Sequence, residues 1–151
     1  MIMIKKIVFF ILILILGNCG YQPLYENRGN FNELIKSFEV KGNKNINRRI
    51  ISSLNLKNKN KEAGYKLIIS SSKMVEIVSK DGAGNASVYK TRISVKVSLI
   101  NIDKTLKEKT FSSGFTYNNL DDKFALSQYQ KDIEINLVDK VIEDILDFLI
   151  I

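Results

Sequence analysis

The chain has 151 residues, 45% of them hydrophobic and 26% charged, with a formal charge of +7; that balance belongs to a globular protein, and the length to one domain. It contains no His, no Trp and a single Cys. This excludes imidazole-based triads, His-ligated metals and haem, an internal disulfide, and every Cys-cluster zinc or iron–sulfur site. The basic excess is mostly lysine, 19 Lys against 4 Arg, and it is unevenly placed. Residues 1–120 carry 20 basic and 8 acidic side chains, a net of +12, whereas residues 121–151 carry 3 and 8, a net of −5. A basic body can meet anionic lipid, a phosphorylated glycolipid or nucleic acid. No zinc-finger spacing, RNP-like aromatic motif or Gly-rich phosphate loop accompanies the charge, so nucleic acid is not expected as a partner. With 22 Ile and 15 Asn beside the lysines, the composition also follows AT-rich codons, and the lysine count alone is no measure of anion affinity.

The first element in chain order reads as an address. Lys5 and Lys6 precede an unbroken apolar run from Ile7 to Leu16. Ten helical residues span about 15 Å, half of a roughly 30 Å hydrocarbon core, so the run fits a secretory signal rather than a transmembrane helix. The only cysteine follows at once, in Leu16-Gly17-Asn18-Cys19. This pattern resembles a bacterial lipobox, in which the signal is cut before the Cys, its thiol is diacylated and the new amine is acylated. Asn18 departs from the usual small residue before the Cys. Residues 1–18 are therefore expected to be a lipoprotein signal peptide and Cys19 the lipidation site. Each buried methylene of the attached chains contributes about 0.8 kcal/mol to anchoring. Gly20 stands where an Asp would resemble an inner-membrane retention signal, which favours the periplasmic face of the outer membrane.

Residues 19–36, with the only proline at position 23, read as an extended lipidated tether, and residues 37–151 as a single domain. Ser37 to Val40 alternates as a short strand ending at Gly42. Asn45 is placed to cap a helix to about Leu56, whose stripe is Ile46, Ile50 and Leu54, flanked by Arg48 and Arg49. After a Lys-rich loop from Lys57 to Gly64, Tyr65 to Ser79 forms a second strand. Asp81 to Asn85 is a turn, since Gly and Asn tolerate positive φ. The third strand, about Ala86 to Ile102, alternates most clearly. Tyr89, Ile93, Val95, Val97 and Leu99 share one face, and Lys90, Arg92, Ser94, Lys96 and Ser98 the other, as in an antiparallel sheet buried on one side. A fourth strand, about Leu106 to Tyr117, puts Phe111, Phe115 and Tyr117 together. Asp121 or Asp122 caps the last helix, from about Phe124. Its ladder is Ile133, Leu137, Val141, Ile145 and Leu149, with Val138, Ile142 and Leu146 beside it. Glu134, Asp139, Glu143, Asp144 and Asp147 lie off the stripe, where acids solvate a helix face. The order β-α-β-β-β-α predicts an α+β two-layer sandwich, a four-stranded sheet with two helices on one face.

The combination resembles the LPS-assembly lipoprotein LptE family. The residues that carry it are Cys19-Gly20-Tyr21-Gln22-Pro23-Leu24-Tyr25 directly after the signal, the element order, and Phe115-Thr116-Tyr117-Asn118 leading into a long last helix. The resemblance implies no enzymatic activity and no cofactor. It implies a plug inside the β-barrel LptD that helps the barrel assemble and assists delivery of lipopolysaccharide to the outer leaflet. A phosphorylated glycolipid is met by Lys and Arg through charge-assisted hydrogen bonds. By position on the sheet, the candidates are Lys90 and Arg92 on the wet face and Lys80 beside the turn; the alternative is that they are ordinary solvated charges. A rival of another class is a periplasmic ligand-binding or scaffold lipoprotein without a barrel partner. An enzyme is the third: Ser70-Ser71-Ser72-Lys73 has the Ser-x-x-Lys spacing of penicillin-binding proteins, but in mid-strand and without a Lys-Thr-Gly.

Overall fold

The structure, a computed structural model, describes residues 34–58 and 64–149. The signal peptide, Cys19 and most of the expected tether lie outside the described residues. The elements are β1 (Ile35–Gly42), α1 (Lys44–Ser53), β2 (Tyr65–Lys80), β3 (Ala86–Asn101), β4 (Lys104–Asn118) and α2 (Lys123–Leu149). Together they form an α+β two-layer sandwich, with a four-stranded sheet in the order β1-β2-β3-β4. The first strand begins at Ile35, so the last residues assigned to the tether belong to the sheet, and Ile35 is buried.

The sheet is mixed, a departure from the antiparallel sheet expected. β2 pairs antiparallel with β3, and β3 with β4, but β1 runs parallel to β2. The cause is the helix between them: a strand that returns through a crossover helix re-enters the sheet in the same direction. α1 starts two residues earlier than Asn45 would allow. Its cap is Asn43, whose backbone is extended and whose Oδ1 accepts from the N–H groups of Asn45 (3.0 Å) and Ile46 (3.2 Å). Asn43, Asn45 and Asn47 are all competent caps by type; the direction in which the chain leaves Gly42 selects the first. At the other helix the expectation holds for Asp122, whose Oδ1 accepts from the N–H groups of Phe124 (2.8 Å) and Ala125 (3.1 Å).

Both helices lie on the face of β3 that carries Ile93, Val95, Val97 and Leu99. These are buried with Leu67 and Ile69 of β2, Ile46 and Ile50 of α1, and Ile133, Leu137, Val141, Ile145 and Leu149 of α2. Phe111 of β4 meets Phe148 edge-on at 5.6 Å. Phe115 does not join this core. It is 47% exposed, although Ser113 and Tyr117 on either side of it along the same face are buried.

Tyr117 locks the start of α2 to the sheet. Its ring stacks on Tyr89 and meets Tyr129 edge-on, each at 5.8 Å. Its hydroxyl bonds the buried Thr91 Oγ1 (3.2 Å) and accepts from Gln130 Nε2 (3.0 Å). A second buried polar pair closes the other side: Ser71 Oγ donates to Asn47 Oδ1 at 2.6 Å, and Asn47 Nδ2 donates to the Lys41 carbonyl at 3.0 Å. Removing one partner of a buried hydrogen bond costs about 1–3 kcal/mol. Tyr117→Phe, which keeps the ring and deletes the hydroxyl, is expected to lower the free energy of urea unfolding by that amount with an unchanged m-value.

Candidate functional site

With the helices on one side, the opposite face of the sheet is uncovered among the described residues. Alternation assigns its side chains. From β2 they are Lys66, Ile68, Ser70, Ser72, Met74 and Glu76; from β3, Lys90, Arg92, Ser94, Lys96, Ser98 and Ile100; from β4, Glu108, Thr110, Ser112, Gly114 and Thr116. The row is small and hydroxyl-rich in the middle. Ser94 and Ser112 share a hydrogen bond of 3.1 Å, and Ser112 Oγ donates to the Ile93 carbonyl at 3.2 Å.

Charge divides this face into two ends. At the end near β1, every acid is matched. Glu39 holds Lys66 at 3.0 Å and Lys41 at 3.1 Å. Glu108 holds Lys96 at 2.8 Å and accepts from Ser98 Oγ at 2.7 Å, which keeps Ser98 buried on a face expected to be wet. The hydrogen bond from Lys66 and then that from Lys41 hold the Glu39 carboxyl below its ordinary range; Lys96 and then Ser98 do the same for Glu108.

The other end carries Lys90 and Arg92. Lys90 stands opposite Glu76 on one side and Thr116 on the other; Arg92 stands between Met74 and Gly114. Gly114 leaves room there: a Cβ built on it would lie 3.6 Å from Lys90 Cε and 3.3 Å from the Thr91 carbonyl oxygen. The sheet thus brings Lys90 and Arg92 onto one face, two residues apart, and no ion pair among the described residues holds either of them. Lys80 is not on this platform. It is exposed at the end of β2, opposite Ala86, beyond a register shift at Ile77 to Ser79. The adjoining turn is stiff: Asp81 accepts from the N–H groups of Ala83 (2.9 Å) and Asn85 (2.8 Å), and these backbone bonds, led by that of Asn85, lower its pKa.

Two acids expected to be only solvated have partners. Asp139 accepts a two-pronged bond from Arg49, at 2.7 and 2.6 Å, and Glu134 accepts from Lys73 at 2.5 Å. These pairs join α2 to α1 and β2 on the helix side, away from the open face. Arg49 and Glu134 line a groove of about 530 Å³ there, with Arg48, Ser52 and Ile135. Glu143, Asp144 and Asp147 are exposed as expected. Ser70 and Lys73 fall on opposite faces of β2, so the Ser-x-x-Lys spacing does not bring the two together.

No protein-family model matches the chain, and no curated protein matches it. Solved structures do share its fold. A candidate lipoprotein from Caulobacter crescentus is 17% identical with a TM-score of 0.56, over 79% of this chain and 89% of that one. The rare lipoprotein B of Shewanella oneidensis is 13% identical with a TM-score of 0.53, over 74% and 95%. A minor lipoprotein from Acinetobacter baumannii is 12% identical with a TM-score of 0.55, over 73% and 87%. The two-layer body is thus a fold found in bacterial lipoproteins, and in this chain it follows a lipobox-like sequence.

The electrostatics predict the direction of a pH effect. Glu39, Glu108 and Asp81 all have folded pKa values below their ordinary 4.5, 4.5 and 3.8. Groups depressed in this way stabilise the fold above those values, and the contribution is lost as pH falls through the folded pKa. Asp81 and Glu108 are exposed and Glu39 half-buried, so the effect is small and screened by salt. The melting temperature is expected to fall between about pH 5 and pH 3 and to fall less in Glu39→Gln/Glu108→Gln.

Proposed function

We propose that the chain is an outer-membrane lipoprotein, anchored through Cys19 on the periplasmic face, that plugs and helps assemble an LptD-like β-barrel and assists lipopolysaccharide insertion into the outer leaflet. The observation that carries this reading is a body with the fold of bacterial lipoproteins whose sheet leaves one face open, with a row of hydroxyl and charged side chains across it, behind a lipobox-like sequence. A plug in a barrel needs such a surface, because the interior of an outer-membrane barrel is polar while its lipid-facing side is apolar. Lys90 and Arg92, held in no ion pair among the described residues and set on a hydroxyl-rich platform, suit phosphates and sugar hydroxyls. Lys80 is an outlying contact at most, since it sits beyond the platform. The role is one of binding and assembly, without catalysis or cofactor.

Detergent extraction of native membranes and purification through a C-terminal tag tests the partner. A large outer-membrane barrel at equal stoichiometry is expected. Recovery of the chain alone would overturn the plug and favour a ligand-binding or scaffold lipoprotein. For the glycolipid, Lys90→Ala/Arg92→Ala is expected to weaken lipopolysaccharide binding at least tenfold with an unchanged melting temperature, each charge-assisted bond contributing about 1.5–3 kcal/mol. Undiminished binding by that variant removes both residues from the site.

A further inference from the structure

The groove between α1 and α2 has no part in the platform on the other face of the sheet. Asn45, Arg48, Arg49 and Ser52 fall at i, i+3, i+4 and i+7 of α1, so one face of this helix lines it. Glu134, Ile135 and Val138 of α2 form the opposite wall. The walls are tied together, since Asp139 accepts both bonds from Arg49, at 2.7 and 2.6 Å. The floor is apolar and closely packed, with Ile46 and Val138 each 1% exposed. A space of about 530 Å³ is of the size that takes a small ligand.

The charges of this groove do not cancel. Arg49 is matched by Asp139, and the Glu134 carboxylate, which would repel an anion, is matched by Lys73. Arg48 is exposed, and among the described residues no ion pair holds it. The lining is therefore left with one uncompensated positive charge. One turn along α1 from Arg48, Ser52 adds a hydroxyl. Across the groove Ile135 stays 40% exposed, beside the buried Val138. A guanidinium fork, a hydroxyl and a bare aliphatic side chain over an apolar floor match an oxyanion carried on an aliphatic stem.

We propose that this groove binds the head of an anionic phospholipid, with the phosphodiester on Arg48 and Ser52 and the glycerol and first methylenes on Ile135. The single charge of a phosphodiester equals the single charge left open in the groove. A chain anchored through Cys19 is held at a phospholipid leaflet, where this amphiphile is at high effective concentration; the choice of a lipid rests on that anchoring, and the oxyanion chemistry does not. The site lies on the helix side of the sheet, away from Lys90 and Arg92, and does not depend on a barrel.

The test follows the amides of Arg48, Ser52 and Ile135 by NMR in the full chain, in maltoside micelles doped with phosphatidylglycerol. Saturable shifts are expected, at a mole fraction where phosphatidylcholine gives none. Arg48→Gln is expected to raise the mole fraction at half-saturation about tenfold, the loss of one charge-assisted contact. Arg48→Lys, which keeps the charge without the fork, is expected to fall between the two. Ile135→Ser is expected to weaken binding severalfold, and Lys90→Ala/Arg92→Ala to leave it unchanged. Absent shifts, equal shifts with phosphatidylcholine, or shifts indifferent to Arg48→Gln overturn the proposal. Equal shifts with inorganic phosphate at the same bulk concentration also overturn it, and mark the groove as a site for a free oxyanion. Loss of the shifts only in Lys90→Ala/Arg92→Ala overturns it too, and returns the lipid to the open face. The micelles present the lipid whether or not Cys19 is acylated, so a failure here leaves the anchor and barrel readings standing.

Discussion

The contact on which the rest of this molecule depends is the burial of one helix ladder against one face of one strand. Ile133, Leu137, Val141, Ile145 and Leu149 of α2 meet Ile93, Val95, Val97 and Leu99 of β3. Fully burying side chains of this kind contributes roughly 1.5–3 kcal/mol each, and only one face of the sheet has the apolar side chains to receive them. Once α2 is seated there, the other face has no apolar stripe to bury. It must be wet, and its serines, threonines and lysines follow from that. The same choice makes β1 and α1 a crossover unit on the covered side.

The charges sort themselves around this layering. Six of the eight acids that make the C-terminal segment negative reside on α2, and two of them are tied to the basic body, Asp139 to Arg49 and Glu134 to Lys73. On the open face the acids near β1 neutralise their lysines, which leaves Lys90 and Arg92, with Glu76 across from Lys90, as the charges presented at the turn end. The net charge of the chain is therefore a poor guide to its surface. What matters for a polyanionic or hydroxyl-rich partner is that two cations stand together on a flat, small-residue platform, outside every ion pair among the described residues.

Much of the fold is legible in the sequence. The alternation from Tyr89 to Leu99 assigns the strand, its buried face and its wet face at once, and places Lys90 and Arg92 on the latter. The i, i+4 ladder of α2 is equally plain. The failures have definite causes. Asn43 rather than Asn45 caps α1, because three asparagines compete and backbone direction decides. Phe115 shares its face with Phe111 and Tyr117 as expected, yet stays half exposed, because strand periodicity assigns a face but not whether a helix covers it. Lys80 stands beside the turn as expected, and the register shift at the end of β2 sets it apart from the platform. Ser98 is buried on a polar face, because a glutamate on the next strand reaches it.

The sequence by itself determined the elements, their faces and the lipobox-like start, since these rest on periods of 2 and 3.6 residues and on short local motifs. The tertiary structure alone decided which strands are neighbours, that β1 is parallel, that the β2 edge stops being paired at Ser71, and which charges are matched. Arg49 and Asp139 are 90 residues apart and Lys73 and Glu134 are 61 apart; no periodicity within one segment carries such a pairing. Proximity of that range is set by how the layers stack, and stacking is a property of the whole chain.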